Sequence, residues 1–176
     1  MTFLYAGMLV QRGKMAEMNQ LIDTTSIPNW SLFGAKFIAL LKMQWALLTV
    51  VMIAGIAAQL FNGYTRLELW QYGFTLYVLH FINFAIWAMV AIFIQTIFTN
   101  AYLGLFLLIG GSMGMVVLSQ FGVEPPVFRY NMGPSFGYSD LDGYGSSLKP
   151  YLIYKFYWLL FGFFMLFWAL LLWQRG

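Results

Sequence analysis

Residues Leu69 to Val123 read LWQYGFTLYVLHFINFAIWAMVAIFIQTIFTNAYLGLFLLIGGSMGMVVLSQFGV, 55 positions without an Asp, Glu, Lys or Arg. A helix crosses the hydrocarbon core of a bilayer in about 20 apolar residues. The stretch is too long for one crossing and fits two. Its polar break, Gln95-Thr96 followed by Thr99-Asn100, falls near the middle and reads as a tight hairpin. Spans are therefore expected at about 69–97 and 100–121.

Working outward, Met43 to Phe61 is a 19-residue uncharged run, and Phe156 to Gln174 is another. The first extends back to residue 35 if Lys36 and Lys42 snorkel to the interface. The second extends back to residue 150. The reading is an all-α integral membrane protein with four full transmembrane helices, at about 35–61, 69–97, 100–121 and 150–174, and an external loop over 122–149. Composition agrees: 61% of the 176 residues are apolar and only 9% charged, against about 25% charged in soluble domains. That is too little charge to cover a soluble surface. The net charge of +3 is small and scattered, so no nucleic-acid partner is expected. With no cysteine, a disulfide framework and a thiolate metal site are both excluded.

Met1 to Val10 is apolar but too short to cross, and lacks the basic start and cleavage site of a signal peptide. It reads as the end of a truncated preceding span. Residues 11–34 follow as a cytoplasmic segment. In it Met15, Met18, Leu21 and Ile22 recur at helical spacing, while Lys14, Glu17, Asn19, Gln20 and Asp23 occupy the other face. That pattern makes an amphipathic helix lying on the membrane or docking on a soluble partner. Pro28 ends it, and Asn29 or Ser31 is placed to cap the next helix. Lys and Arg number five on the side of the termini (Arg12, Lys14, Lys36, Lys42, Arg175) and four on the other (Arg66, Arg129, Lys149, Lys155). The positive-inside rule then puts both termini in the cytoplasm. Tyr151, Tyr154, Tyr157 and Trp158 would form the outer aromatic belt of the last span.

Inside the spans, His80 and Asn83 stand at i and i+3, on one helical face. Intramembrane polar groups mark a substrate or ion path, but they also serve as hydrogen-bond glue between helices, a common use of His and Asn. Gly104, Gly110, Gly111 and Gly114 suit close helix packing, with Gly110 and Gly114 forming GxxxG. In the loop, Ser139-Asp140-Leu141-Asp142-Gly143 has the start of a calcium loop without its later ligands, so turns around Gly143 and Gly145 explain it better. A single His excludes HExxH, and no phosphate loop or GxSxG elbow occurs. No metal, cofactor or catalytic residue is expected, and the chain is read as not an enzyme by itself.

The order of Leu21-Ile22-Asp23-Thr24-Thr25, Ile27-Pro28-Asn29-Trp30 and Gly34-Ala35-Lys36-Phe37 entering a span resembles the ABC-2-type exporter permeases. Together with Tyr138-Ser139-Asp140 and Gly143-Tyr144-Gly145, it is similar to the permease region of bacterial fusions with a membrane alanyl-aminopeptidase domain. The resemblance implies a coupling helix after the second of six spans, and hence a fragment of a six-span permease half. It also implies contact with a separate ATPase through Met15, Glu17, Met18, Leu21, Ile22 and Asp23. A second permease half or homodimer and a place in the bacterial inner (plasma) membrane follow from it too. The function expected is a membrane-spanning permease domain exporting an unknown substrate. Two alternatives stand: the membrane anchor of a larger zinc aminopeptidase, and a stand-alone four-span interaction protein.

Overall fold

A computed structural model describes residues 1–15, 28–63, 68–98, 100–121, 129–139 and 143–173; the side chains of 12–15 and 118–120 lie outside the description. Among the described residues five helices follow one another: α1 (Thr2–Met15), α2 (Asn29–Phe61), α3 (Leu69–Ile97), α4 (Ala101–Gln120) and α5 (Leu148–Leu172). No named strand occurs among the described residues. One isolated antiparallel bridge joins Ser139 and Gly143. Three helical stretches are long and apolar enough to cross a membrane: Asn29–Phe61, Leu69–Ile97 and Gly145–Leu172. Thr2–Gln11 and Ala101–Val117 are shorter apolar helices. The architecture is consistent with an all-α membrane protein.

Local chemistry sets the ends. Pro28, at φ −69° and ψ 146°, is extended and starts α2, and Ser31 N–H reaches the Pro28 carbonyl at 3.0 Å. The N-cap position is held by Pro28, which makes no side-chain cap bond, and not by Asn29 or Ser31. Both lie inside the helix, which runs unbroken through Gly34-Ala35 and so begins before residue 35. At the far end Asn62 donates from its backbone N–H and Nδ2 to Ala58 O, and Gly63 turns the chain at φ 78°. A left-handed glycine after the last turn is a common helix stop. Asn100 caps α4 by accepting from Tyr102 N–H at 2.9 Å. α1 runs on to Met15, so residues 11–15 continue the first helix rather than open a second one.

The centre of the bundle is α3. Its Ala85, Ile86, Ala88, Met89, Val90, Ala91 and Ile92 are all buried, and α1, α2, α4 and α5 pack around it. The tightest crossing is with α5, where a Cβ on Gly162 would overlap Met89 Sδ. Outward faces carry exposed Val50, Ile53, Phe163, Phe164 and Phe167. In water such a surface would be a liability; in lipid it is the expected one.

Hydrogen bonds fix α1 to its neighbours. Gln44 Nε2 donates to Thr2 Oγ1 (3.4 Å) and Phe84 O (3.1 Å), Gln11 Nε2 to Phe98 O (3.2 Å), and Lys36 Nζ to Val10 O (3.2 Å). Lys36 also stands 4.4 Å from the Trp173 ring centre. These contacts bring the C-terminal end of α1, the start of α2, the α3–α4 turn and the end of α5 together. This is called the Lys36 end below.

Candidate functional site: an intramembrane polar clasp

The polar groups that meet inside the bundle come from α3, α5 and the segment 129–133 of the long loop. On α5, Tyr151, Lys155, Trp158, Gly162, Leu166 and Ala169 are the buried residues. Their spacing of four and three marks one helical face. Lys155 is thus carried into the interior with only 3% of its surface exposed. It lies 17 residues from Leu172, about 25 Å along the helix. Its ammonium donates to Asn131 O at 2.6 Å and Asn131 Oδ1 at 2.8 Å, two neutral oxygens rather than a carboxylate.

Asn131 is held in the left-handed region at φ 59°, which Asn tolerates better than most residues. That conformation lets its carbonyl and side-chain oxygens converge on one donor. Its Nδ2 donates to Asn83 O at 3.1 Å. Asn83 Nδ2 in turn donates to Leu79 O (2.9 Å) and to Tyr151 Oη (2.5 Å), while the Tyr151 hydroxyl donates to Leu79 O at 3.1 Å. Leu79 O can take these donors because Thr75–His80 is a π-helical turn, which disturbs the regular i to i+4 ladder there.

Next to this clasp the loop is plugged in by aromatic rings. Tyr130 is 7% exposed, donates its hydroxyl to Ile86 O at 2.7 Å, and packs edge-on against Trp87, Trp158 and Phe161. Trp158 Nε1 donates to Met132 O at 2.9 Å. Burial raises the Tyr130 phenol above its ordinary range, so it remains a donor at neutral pH. Farther out, Phe74, Phe136, Tyr138 and Tyr144 cluster with Tyr151, and Thr75 Oγ1 meets Tyr144 Oη at 2.5 Å. Ser139 and Gly143 exchange backbone hydrogen bonds at 2.8 and 2.7 Å, with Gly143 at φ 60°. This Tyr144 end is opposite the Lys36 end.

The residues singled out in the sequence fare differently. Asn83 belongs to the clasp, as interhelical glue. His80 does not: it is exposed at the end of the π turn, with its ring 6.1 Å from Phe136. Gly104 is buried where α3 and α4 meet, and an added Cβ would lie 2.7 Å from Gln95 Oε1. Gly110, Gly111 and Gly114 are exposed, and nothing lies within 4 Å of a Cβ added there. Close helix packing at these three is not made among the described residues. Met15 ends α1; Glu17, Met18, Leu21, Ile22 and Asp23 lie outside the described residues, as do Asp140 and Asp142. Tyr151 and Trp158, expected in an outer aromatic belt, are 4% and 5% exposed and face the bundle interior. Lys155, read as a charge on the side opposite the termini, is inside the bundle instead, because it occupies the packing face of α5.

Chemically the clasp is a cation solvated by amide oxygens and fastened between two helices. It offers no nucleophile with an adjacent base, and among the described residues no three His, Cys, Asp or Glu come close enough to hold a metal. No protein-family model matches this chain, and neither a curated protein nor a solved structure matches it significantly.

Proposed function

We propose that the chain is the membrane-spanning permease unit of an exporter whose energy comes from a separate ATPase. The observation that supports this reading most is the clasp of Lys36 Nζ on Val10 O at 3.2 Å. It holds the end of α1 against the start of α2, so the intervening stretch leaves and returns at one end of the bundle. The stretch between them carries the amphipathic sequence pattern with Glu17 and Asp23 on its polar side, and in this reading it is the element that a soluble motor pushes on. At the opposite end the loop is plugged by Tyr130 and fastened through Lys155 and Asn131. A bundle closed on one side with a transmission element on the other is what ATP-driven alternating access needs at rest.

In this reading the Lys36 end, with the C-terminal end of α5, is cytoplasmic, and α4 makes a fourth crossing. The proposed unit works paired with a second permease half. The test is co-purification from native membranes followed by an ATPase assay. Wild-type chain carries ATP hydrolysis with it, and reversing Glu17 and Asp23 to Lys removes that activity while helical content stays unchanged. Equal ATPase recovery with both forms refutes the coupling role. Recovery of zinc-dependent aminopeptidase activity without ATPase moves the chain to the membrane-anchor reading.

A further inference from the structure

Between α3, α4 and α5 an open groove of about 330 Å³ runs past the exposed Gly111. Its walls include Trp87, Leu107, Gly111, Met115, Tyr130 and Met165. From Leu107 to Met115 is eight residues, about 12 Å along the helix axis, so the groove is narrow and runs parallel to the helices. Three of its polar wall groups are already occupied: Ser112 Oγ bonds Ile109 O, Tyr130 Oη bonds Ile86 O, and Trp158 Nε1 bonds Met132 O. The rest of the wall is almost wholly apolar side chain, so the groove calls for an apolar occupant.

One end of the groove is charged. Tyr130 N–H donates to Met115 Sδ at 3.0 Å, which sets the adjoining Arg129 above the Met115 end. Arg129 Nε is buried without a hydrogen-bond partner, and no carboxylate pairs with its guanidinium among the described residues. Met115 is 14 residues from Ala101, about 21 Å along α4. An arginine side chain starting there reaches the headgroup region of the leaflet at the Tyr144 end by snorkelling. A guanidinium with an unpartnered Nε, one residue from the groove wall at Tyr130, complements a phosphate joined to a hydrocarbon chain.

We propose that this groove seats one acyl chain of an anionic phospholipid from the leaflet at the Tyr144 end, with Arg129 holding its phosphate. The lipid is a resident ligand of the folded chain and does not depend on the transport reading. Its chain completes the wall that α4 leaves open at Gly111, and its phosphate supplies the partner that Arg129 lacks.

Native mass spectrometry of the full chain in detergent, titrated with phosphatidylglycerol or phosphatidylcholine, tests this. Wild type retains one phosphatidylglycerol in preference to phosphatidylcholine. Arg129→Gln weakens phosphatidylglycerol about tenfold, the loss of one charge-assisted contact, and Arg129→Lys keeps the preference. Gly111→Phe, which projects into open space, expels both lipids; Ser112→Leu does the same should the first variant fail to fold. Equal retention of the two lipids by wild type overturns the proposal, as does an unchanged preference in Arg129→Gln. Competition by inorganic phosphate as effective as by the lipid assigns Arg129 to a free anion and sinks the acyl seat. A dimer without lipid that Gly111→Phe breaks gives the groove to a second copy and equally overturns it.

Discussion

Replacing Asn131 by Ala removes three things. The Lys155 ammonium loses its bond to Oδ1, worth about 1.5–3 kcal/mol for a charged donor, although it keeps the backbone oxygen. The Nδ2 bond to Asn83 O goes as well, about 1 kcal/mol. Ala at φ 59° adds about 1 kcal/mol of backbone strain. The sum is about 4 kcal/mol. Lys155→Met is a different perturbation. It leaves both Asn131 O and Asn131 Oδ1 without their donor, about 1–3 kcal/mol each, but also relieves the burial of an ammonium, which on insertion scales costs at most about 2.5–3.5 kcal/mol, the bilayer-centre value. These largely offset each other, so the net loss is about 1 kcal/mol, less than that of Asn131→Ala.

The amide is thus predicted to matter more than the cation it serves. In the Lys155→Met background, Asn131→Ala loses only the Nδ2 bond and the strain, about 2 kcal/mol, so the cycle shows a coupling of about 2 kcal/mol. Reversible unfolding in mixed micelles, followed by tryptophan fluorescence, measures all four corners. Asn131→Gly checks the conformational share, since glycine accepts the left-handed region freely. If Lys155→Met proves the more destabilising single change, or the two effects add without coupling, the account of the clasp as an amide-solvated cation is wrong.

Three further outcomes follow from the packing. Gly162→Leu drives a side chain into Met89 and is expected to destabilise by about 1–3 kcal/mol through overpacking, whereas Gly110→Leu, in open space, is neutral or slightly stabilising through helix propensity; the same unfolding assay ranks them. Asn83→Leu removes one of the two side-chain donors to Leu79 O and the donor to Tyr151 Oη, and lowers stability by about 1–3 kcal/mol, while His80→Leu at its exposed position changes it by less than about 0.5 kcal/mol. Because the chain has no cysteine, single cysteines report topology directly: Cys at Gly63 and at Ser139 label with a membrane-impermeant maleimide from one side, and Cys at Asn100 from the other. Labelling of all three from the same side contradicts the antiparallel bundle.

What the sequence made legible was the class of the molecule and the apolar helices, because lipid imposes a length and a composition that a simple run of residues records. The clasp was harder to see for a physical reason. A lysine five residues after a proline, close to the start of a span, has the signature of an interfacial charge, and a count of charges sorts it there. The distinguishing signal lay in phase rather than count: Lys155, Gly162 and Ala169 repeat every seven residues on α5, so the buried cation shares a face with the two smallest side chains. A face of small residues is where another backbone comes close, and a charge on that face is buried unless something is inserted to solvate it. The loop supplies that group from Asn131, 24 positions upstream, a pairing that helical periodicity cannot express. His80 and Asn83 illustrate the same limit from the other side. Spacing placed them on one face, yet the π turn at Thr75–His80 ends between them, and only Asn83 faces the interior. Polar groups in a membrane bundle are sorted by who reaches them across the fold. Phase along a helix therefore narrows the candidates, and contacts from outside the helix decide among them.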